Sequence, residues 1–509
     1  QQPLWEGFDE WAHFEYIQTI AENAELPKRT DAVSSEVRAS LQIVPLSKSA
    51  AVTDGAITHD AFWQLQPEER WERTQRLHKL PASGADLSTI ALTQYEAQQP
   101  PLYYLVMTVP YLLGKTLSLP AQVLILRLLS IGIASAVVFL AYAVARQVLP
   151  GVTFAVLVAM LMACLPGFFI DVCRVGNECL SIVLTGAVVL LMFRVVRSDA
   201  GLGSWMLLGA ALAAALLTKA YALAFLPVLP IAACLSLMRN RPLMSNRWSA
   251  GKTAAGFILA LLVIVALSGW WYWRSWVNTG TLSGEQLHAA AAQFTLAGKL
   301  SALRQVDWHS VLDTAAFSHI WVGGWSFLVV RSWMYRVFEI IAIVSALGLC
   351  LYLTHYVRYL WRSRLLGASG ARIAILLSLF LIMCAAVGYH SFVIFLTQNI
   401  STAAGWYLYA VIVAEGVLLA VGLTALFGIR SAQRTYAAVC MAAVALDLYT
   451  VHFVLMPYYT GGIRHTPSGT LESFHLQTLA APGAAEQIFQ RLAVNEALGT
   501  PVLLAGLWG

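Results

Sequence analysis

Ten apolar stretches, each about the length of a membrane-spanning helix, constrain the fold of this chain more than any other feature. A helix needs about 20 mostly apolar residues to cross a bilayer. The stretches are 122–145, 152–170, 179–196, 203–218, 221–238, 253–273, 337–357, 372–397, 405–428 and 435–456. Of the 509 residues, 12% are charged, against about a quarter in a soluble protein. We therefore predict an all-α polytopic membrane protein with about ten spans.

Basic residues are concentrated in alternate connections between these stretches. If residues 1–121 lie outside, the inner connections and helix ends contain one acid, Asp199, and the cations Arg146, Arg194, Arg197, Arg239, Arg241, Arg247, Lys252, Arg358, Arg362, Arg364, Arg372, Arg430 and Arg434. The positive-inside rule favours this orientation. The net charge of +5 is spread over these loops and forms no basic domain, so no nucleic-acid partner is expected.

This topology divides the chain into five parts. They are an extracytoplasmic loop with juxtamembrane helices (1–121), a first transmembrane module (122–273), an extracytoplasmic loop (274–336), a second transmembrane module (337–456) and an extracytoplasmic tail (457–509). Interfacial helices are expected at about 9–23, 61–80 and 100–118. The chain opens on a polar segment without a signal peptide, and we expect that a first membrane helix preceding Gln1 is absent from this sequence.

Two adjacent carboxylates, Asp9 and Glu10, open an aromatic-rich segment just outside the membrane. Asp9 and His13 are four residues apart and share a face if the segment is helical. A carboxylate there can act as a general base, and Asp9 with His13 can bind a divalent metal. A capped interfacial helix, whose acids favour its positive N-terminus, explains the pattern equally well. The residues themselves leave both interpretations open.

Polar and aromatic residues mark further surfaces near the membrane. Glu96 and Gln99 precede a Pro-Pro pair, which is also an ordinary helix start. Trp273 ends the sixth stretch, and Trp325 lies in the following outer loop. Aromatic faces can stack on sugar rings, although aromatic belts at the membrane interface are the commoner use of tryptophan.

Several motifs in the first 280 residues resemble the GT-C superfamily of polyprenyl-phosphate-sugar glycosyltransferases. The match is best with the bacterial family that includes protein O-mannosyltransferases and lipid A aminoarabinose transferases. It rests on the Asp9-Glu10 pair, the Pro-Pro-Leu at 100–102, the Arg-Leu-Leu-Ser at 127–130 and the Leu-Thr-Lys at 217–219. The chain departs from the family pattern at Gln98-Gln99 and at Trp406, where related proteins carry cations.

The resemblance implies a GT-C-like bundle that transfers a sugar from a polyprenyl-phosphate donor to a glycan, lipid or protein acceptor. It makes Asp9 the base, with Glu10 as its supporting neighbour. Arg127, Lys219 and Arg274 are the expected ligands of the donor phosphate, although for any one of them taken singly an interfacial cation is the better interpretation. The expected lining of the site is His13, Glu96, Gln99, Trp273 and Trp325. The resemblance also implies a location in the bacterial inner membrane, with the active side extracytoplasmic. It leaves open whether a divalent metal is a cofactor.

Two other functions are compatible with the sequence. Ionisable residues inside the spans, namely Glu339, His390, Glu415 and Asp447, suit a lipid or solute transporter. The large outer loops argue against it, because alternating-access carriers show paired, broken helices. The missing cations at Gln99 and Trp406 suit a non-catalytic scaffold subunit with partners in a membrane complex.

Overall fold

The computed structural model describes residues 3–48, 56–80, 92–197, 199–240, 248–363, 366–480, 482–492 and 494. Nearly all regular structure in these residues is helical. The strands are Pro45–Leu46 (β1) and Ile57–Thr58 (β2), which pair in parallel with Pro45 opposite Ile57. The last part of the predicted outer tail, 495–509, lies outside the described residues.

The segment 1–121, predicted to lie outside and called the outer segment below, contains five helices before the first long apolar helix. They are α1 (Glu10–Asn23), α2 (Ser35–Ile43), α3 (His59–Phe62), α4 (Pro67–His78) and α5 (Leu102–Gly114). Helices are therefore confirmed in all three regions expected to form them, with the middle one divided between α3 and α4. α2 was not predicted. Pro67 opens α4 and two acids occupy its first turn, which is the favourable order at a helix start.

The first transmembrane module continues the chain from α6 to α13. Its helices are α6 (Leu119–Ala134), α7 (Ala136–Val148), α8 (Gly151–Cys164), α9 (Pro166–Val172), α10 (Glu178–Val195), α11 (Leu202–Leu216), α12 (Val228–Asn240) and α13 (Trp248–Thr279). A 3-10 segment, Ala220–Phe225, leads into α12.

An outer loop, a second module and the C-terminal tail follow. They contain α14 (Gln286–Ala292), α15 (Leu296–Gln305), α16 (Trp308–Ile320), α17 (Ser332–Ser363), α18 (Ala368–Gln398), α19 (Ile412–Tyr449), α20 (Met456–Tyr459) and α21 (Ala484–Leu492). Short 3-10 segments are Tyr95–Gln98, Gly324–Ser326, Gly405–Val411 and Leu476–Ala480, and Thr450–Leu455 is a π-helix.

All ten predicted stretches lie on helical segments. The number of helices long enough to cross a membrane is smaller than ten. Within the described residues, seven helices are long and apolar enough to cross a membrane, or eight if α8 and α9, bent by 57°, form one span. α11 has 15 residues, fewer than a full crossing requires. The run Gly405–Tyr459 contains two predicted stretches, separated by Gly428 with a φ of 73°.

α5 is the half-buried helix expected at 100–118. Its inner face carries Tyr104 and Tyr111, which are buried where α5 packs against α1. Its other face carries Val109 and Leu113, which are 62% and 83% exposed. A helix with one apolar face open and the other covered by protein suits the edge of a bundle in lipid.

α1 is covered by the protein, in contrast to the headgroup position considered for it from the sequence. Phe14 and Tyr16 are fully buried, and Tyr16 stacks on Tyr104 with ring centroids 3.8 Å apart. The reason is that α5 and the segment Tyr95–Gln98 pack over the helix. α1 is therefore fixed by packing against other helices.

The two ends of α17 adjoin different parts of the chain. The backbone N–H of Trp325, shortly before α17, donates to the Glu6 carbonyl, so this end of α17 adjoins the outer segment. Arg362 lies at the other end of α17, about 45 Å away at 1.5 Å per residue. This arrangement agrees with the separation expected for Asp9 and Arg362.

Candidate functional site

A cavity of about 1040 Å³ lies where the outer segment meets the helices of both modules. Its volume is in the upper range for small-molecule sites. The polar part of its lining includes Asp9, His13, Glu96, Gln99, Arg174, Glu178, Lys219, Glu285, His288 and His390. The aromatic side chains of its lining include Phe8, Trp276, Trp325, Trp406 and Tyr407.

Asp9 borders the cavity from an unusual backbone conformation. It precedes α1 with a φ of 57°, in the left-handed region that aspartate tolerates better than most residues. Its carboxylate does not cap the helix. Instead, the Tyr95 hydroxyl donates a short hydrogen bond to Asp9 Oδ1. The carboxylate is thus directed away from α1 and towards the cavity wall formed by Tyr95.

The surroundings of Asp9 favour its protonated form more than water does. Burial raises its pKa, the neighbouring Glu178 adds to the rise, and the Tyr95 hydrogen bond and the cations Arg174 and Lys219 oppose it. Burial and the charge of Asp9 also raise the pKa of Tyr95 well above its usual value. The tyrosine therefore remains a hydrogen-bond donor. A carboxylate with a raised pKa is better matched to accepting a proton near neutral pH.

A charge cluster lies beside Asp9, where the connection before α10 meets the residues that follow α11. Arg174 and Lys219 both bind Glu178, the first residue of α10, with an Arg174–Glu178 distance of 2.8 Å. Arg174 also pairs with Asp171 at 3.0 Å and donates to the Phe8 carbonyl at 2.7 Å. All of these groups are buried, and Arg174 and Lys219 line the cavity. Two cations and a carboxylate are thus presented to any ligand in the cavity.

Asn177 connects this cluster to the remaining polar wall. Its side-chain oxygen accepts from Lys219 Nζ at 3.1 Å, and its amide donates to Gln99 Oε1 at 3.2 Å and to the Thr218 carbonyl at 3.0 Å. Gln99, which also lines the cavity, helps to hold the lysine indirectly. The network fixes the orientation of Lys219.

Glu10 and Arg127 bind each other and are absent from the cavity lining. Arg127 donates to both carboxylate oxygens of Glu10, and the Val175 N–H donates to the same carboxylate at 2.9 Å. The adjacent carboxylates of the sequence thus have different environments. Asp9 faces the cavity, whereas Glu10 joins α1 to α6.

His13 and Glu96 lie in the cavity wall in neutral forms. Burial lowers the pKa of His13 to about 3, and its Nδ1 shares a 2.8 Å hydrogen bond with the Tyr104 hydroxyl. Burial and the nearby Asp9 raise the pKa of Glu96 to about 8. Asp9 and Glu96 therefore form a second carboxylate pair, distant in sequence, with one member protonated at pH 7.

The expected aromatic and cationic residues on α13 do not line the cavity. Trp273 is 70% exposed, and Arg274 lies over the Trp271 ring at 4.9 Å. Trp276 lines the cavity, almost one helical turn further along α13. Trp325 lies in the lining.

Trp406 stands at a position where the family resemblance implies a cation. Its ring stacks on Phe8 with centroids 4.5 Å apart and an interplanar angle of 16°. Both rings line the cavity, and Trp325 meets Phe8 edge-on at 5.4 Å. This wall is therefore an aromatic surface suited to a sugar ring or an apolar group.

Part of the cavity lining is apolar and lies on α18. It includes Met383, Val387 and Leu396, and the segment before α12 adds Leu223 and Ala224. The positions from Met383 to Leu396 span about 20 Å of helix. A hydrocarbon chain can occupy such a surface while a polar group remains beside Asp9.

The sequence analysis missed several of these residues. Glu178, Tyr95, Glu285 and His288 were not selected, although Glu178 is an acid at the start of an apolar stretch and Glu285 and His288 have helical spacing. Glu285, His288 and His390 form the group of three residues in the described structure that could hold a metal ion. Asp9 and His13 do not belong to that group.

Comparisons with known proteins gave similarities in structure alone. No protein-family model matches the chain, and no curated protein matches it. The chain is similar to ArnT from Cupriavidus metallidurans bound to undecaprenyl phosphate, with 16% identity, a TM-score of 0.41, and coverage of 89% of this chain and 68% of that one.

Archaeal structures show a comparable likeness. The Archaeoglobus fulgidus oligosaccharyltransferase in complex with Zn and sulfate has 12% identity and a TM-score of 0.37, with coverage of 91% of this chain and 57% of that chain. AglB from the same organism, in complex with an inhibitory peptide and a dolichol-phosphate, has 12% identity and a TM-score of 0.37, with coverage of 96% and 60%.

Proposed function

We propose that this protein is a membrane glycosyltransferase that moves a sugar from a polyprenyl-phosphate donor to an acceptor hydroxyl on the extracytoplasmic face. One observation carries the proposal: a single cavity joins the Asp9 carboxylate and two cations to an apolar surface along α18. A lipid-linked sugar phosphate has the same division between a polar head and a long hydrocarbon tail. A scaffold subunit would not require this arrangement.

In the proposed reaction Asp9 accepts the proton of the acceptor hydroxyl. The acceptor oxygen forms a bond to the anomeric carbon of the sugar, and the bond from that carbon to the phosphate oxygen breaks. Polyprenyl phosphate leaves with both electrons of the broken bond. General-base catalysis of this kind contributes on the order of a hundred-fold to ten-thousand-fold in rate.

Lys219 and Arg174 are the proposed partners of the departing phosphate. Both line the cavity near Asp9, and fixed cations stabilise charge that develops on a leaving oxygen. Their present partner, Glu178, would share them with the phosphate. Arg127 and Arg274, which the resemblance also suggests as phosphate ligands, would have to act from outside this lining.

The extracytoplasmic orientation rests on the distribution of basic residues. The cavity lining includes residues of the segments 1–121 and 274–336, which the positive-inside rule predicts to be outside because the arginine-rich connections alternate with them. A bacterial inner membrane would supply polyprenyl-phosphate donors on that side.

The test compares Asp9→Asn with the wild type, using the full chain purified in detergent. Transfer is measured with polyprenyl-phosphate donors, and binding of undecaprenyl phosphate is measured by native mass spectrometry. Asp9→Asn should lose at least about a hundred-fold in transfer and retain lipid binding. Asp313→Asn, an exposed site on α16, is the matched control.

A second arm tests the phosphate site. Lys219→Gln should weaken undecaprenyl phosphate binding as well as turnover, whereas Arg331→Gln, at an exposed arginine outside the cavity lining, should change neither. Wild-type transfer by Asp9→Asn would overturn the assignment of the base. Absence of transfer by the wild type with every polyprenyl-phosphate donor would favour the scaffold function.

A further inference from the structure

Three arginines come together at helix ends that the charge distribution predicts to face the inside of the cell. Arg372 lies near the start of α18, Arg239 lies in the last turn of α12, and Arg197 follows the end of α10. These three helices pack against one another, and Arg372 lies within electrostatic range of both other arginines. Like charges repel, so their approach costs free energy that a bound anion would offset.

Acidic side chains do not neutralise this cluster. The acid in the connections predicted to lie inside is Asp199, and it binds Arg197 through hydrogen bonds of 3.0 Å and 2.9 Å. Arg239 and Arg372 form hydrogen bonds to backbone carbonyls, and neither has an ion pair with an acid among the described residues. The connection 241–247 contributes two more arginines to the sequence and no acid. The cluster therefore has an excess of positive charge.

Helix capping uses only part of the hydrogen-bonding capacity of these arginines. Arg372 Nη1 donates to the Gln147 carbonyl in the last turn of α7 at 2.6 Å, and Arg239 Nη1 donates to the Val196 carbonyl after α10 at 3.1 Å. A guanidinium has five N–H donors. Arg372 Nε is buried and has no hydrogen-bond partner in the described structure. A buried donor without a partner is unfavourable unless a ligand satisfies it.

Packing holds the Arg372 guanidinium in place and leaves apolar surface nearby. Its central carbon lies 5.8 Å from the centroid of the buried Phe193 ring on α10. A guanidinium that is already fixed loses little further freedom when it binds a phosphate. Met238, which precedes Arg239, and Val152, at the start of α8, are exposed apolar side chains. The arginines are thus accompanied by surface suited to hydrocarbon chains.

We propose that Arg239 and Arg372 bind the phosphate headgroup of an anionic phospholipid in the inner leaflet. Arginine forks bind phosphate oxygens in pairs, and basic pockets between spanning helices at the cytoplasmic side suit such headgroups. A bound headgroup bridges α12 and α18 and offsets the repulsion between their arginines. The site shares no residue with the lining of the cavity that contains Asp9, so it is independent of the proposed transfer reaction.

The experiment measures lipid binding directly and does not depend on transfer activity. The purified full chain in a neutral detergent is titrated with phosphatidylglycerol or with phosphatidylcholine of the same acyl chains, and native mass spectrometry gives the fraction with lipid bound. The wild type should bind phosphatidylglycerol at least about fivefold more tightly, since one cation beside an anionic headgroup contributes about that factor. Its unfolding temperature should also rise more with phosphatidylglycerol, because a ligand that binds the folded state stabilises it.

Variants identify the arginines that bind the headgroup. Arg239→Gln and Arg372→Gln should each weaken phosphatidylglycerol binding by about fivefold and leave phosphatidylcholine binding unchanged. Glutamine keeps an N–H donor for the helix carbonyl, and Arg239→Gln gives the answer even if Arg372→Gln fails to fold. The matched control is Arg358→Gln, which removes the same charge from an exposed position near the inner end of α17 and should retain the wild-type preference.

Three results would overturn the proposal. The first is a wild type that binds both lipids equally. The second is an equal loss in Arg358→Gln, which would mean that the basic inner surface attracts anionic lipids without a defined site. The third is binding of glycerol phosphate as tight as that of phosphatidylglycerol, which would assign the arginines to a soluble phosphate. None of these results bears on whether Asp9 is a general base, since no transfer is measured.

Discussion

Arg127 on α6 binds the carboxylate of Glu10 on α1 through two hydrogen bonds, 2.7 Å from Nε and 2.6 Å from a terminal nitrogen. Glu10 has no exposed surface and Arg127 is 6% exposed. Arg127 also donates to the Pro3 carbonyl at 2.9 Å. This ion pair attaches the start of the outer segment, which carries Asp9, to the first transmembrane module.

We predict that Arg127→Ala destabilises the fold. The substitution leaves the Glu10 carboxylate buried without its cation, and removal of one partner of a buried pair typically reduces the free energy of unfolding by about 3–5 kcal/mol. Thermal unfolding in detergent measures the loss. Arg464→Ala removes an exposed pair with Glu472 and should change the free energy by less than about 1 kcal/mol.

The same variant separates a structural role for Arg127 from the phosphate-binding role implied by the family resemblance. If Arg127→Ala unfolds at the wild-type temperature and loses undecaprenyl phosphate binding, the arginine acts on the donor and the ion pair is secondary.

A second prediction concerns the pH dependence of transfer. The Tyr95 hydrogen bond favours the charged form of Asp9 and so lowers its pKa, against the larger effect of burial. Tyr95→Phe removes this hydrogen bond, so the pKa of Asp9 should rise. A base must be deprotonated to act, so the acidic limb of the kcat/KM profile should move to higher pH.

The control for this shift is Tyr111→Phe. Tyr111 donates to Glu22 at 3.3 Å, and neither residue lines the cavity. The acidic limb of the kcat/KM profile of Tyr111→Phe should coincide with that of the wild type. An unshifted limb in Tyr95→Phe, with transfer still measurable, would mean that the limb reports a group other than Asp9.

A third prediction concerns stability and Glu96, whose pKa burial raises from 4.5 to about 8. The folded protein retains a proton that the unfolded chain releases at lower pH. The stability from this proton is complete below about pH 4.5 and is lost as the pH rises through 8. Glu96→Gln cannot ionise, so it should unfold at a higher temperature than the wild type at pH 9.

The unfolding temperatures of Glu96→Gln and the wild type are compared between pH 5 and 9. Glu15, whose pKa burial raises to about 7, titrates in the same range and remains in both proteins, so a smaller pH dependence should persist in Glu96→Gln. Glu25→Gln, at an exposed position, should follow the wild type. Parallel curves for Glu96→Gln and the wild type would show that Glu96 ionises as it does in water.

The helical stretches could be predicted because long apolar runs are a local property of the sequence. The number of membrane-spanning helices was harder to predict from the sequence. Gly428 interrupts a helical run with a positive φ, and α11 is shorter than a full span. Lys219, which ends an apolar stretch in a matching motif, lies in the cavity lining, and its role as a phosphate ligand stays a prediction.

Pairing between distant helix ends was not predictable in the same way. Glu10 follows Asp9 directly, yet it turns to Arg127, whereas the second carboxylate near Asp9 is Glu96. The ion pair between Glu178 and Lys219 likewise joins two helix ends that are 41 residues apart in the sequence. Such contacts depend on how helices meet in three dimensions, which a single sequence does not encode in its spacing.

Small residues allow close packing of α17 against α19, on which the last prediction rests. A Cβ atom added to Gly348 would overlap the backbone oxygen of Gly422, and one added to Gly422 would overlap the backbone oxygen of Ser345. Both approaches are far inside the 3.4 Å at which ordinary van der Waals contact begins. Small residues permit such approach between membrane helices.

Gly422→Ala should therefore separate α17 from α19 and reduce the free energy of unfolding by about 1–3 kcal/mol, the usual effect of overpacking. Gly388→Ala on α18 is the matched control, because an added Cβ meets no atom within 4 Å. It should be neutral or stabilise the helix by up to about 1 kcal/mol. Equal unfolding temperatures for the two variants would show that the α17–α19 contact yields without loss, whereas a lower temperature for Gly422→Ala alone supports the packing described.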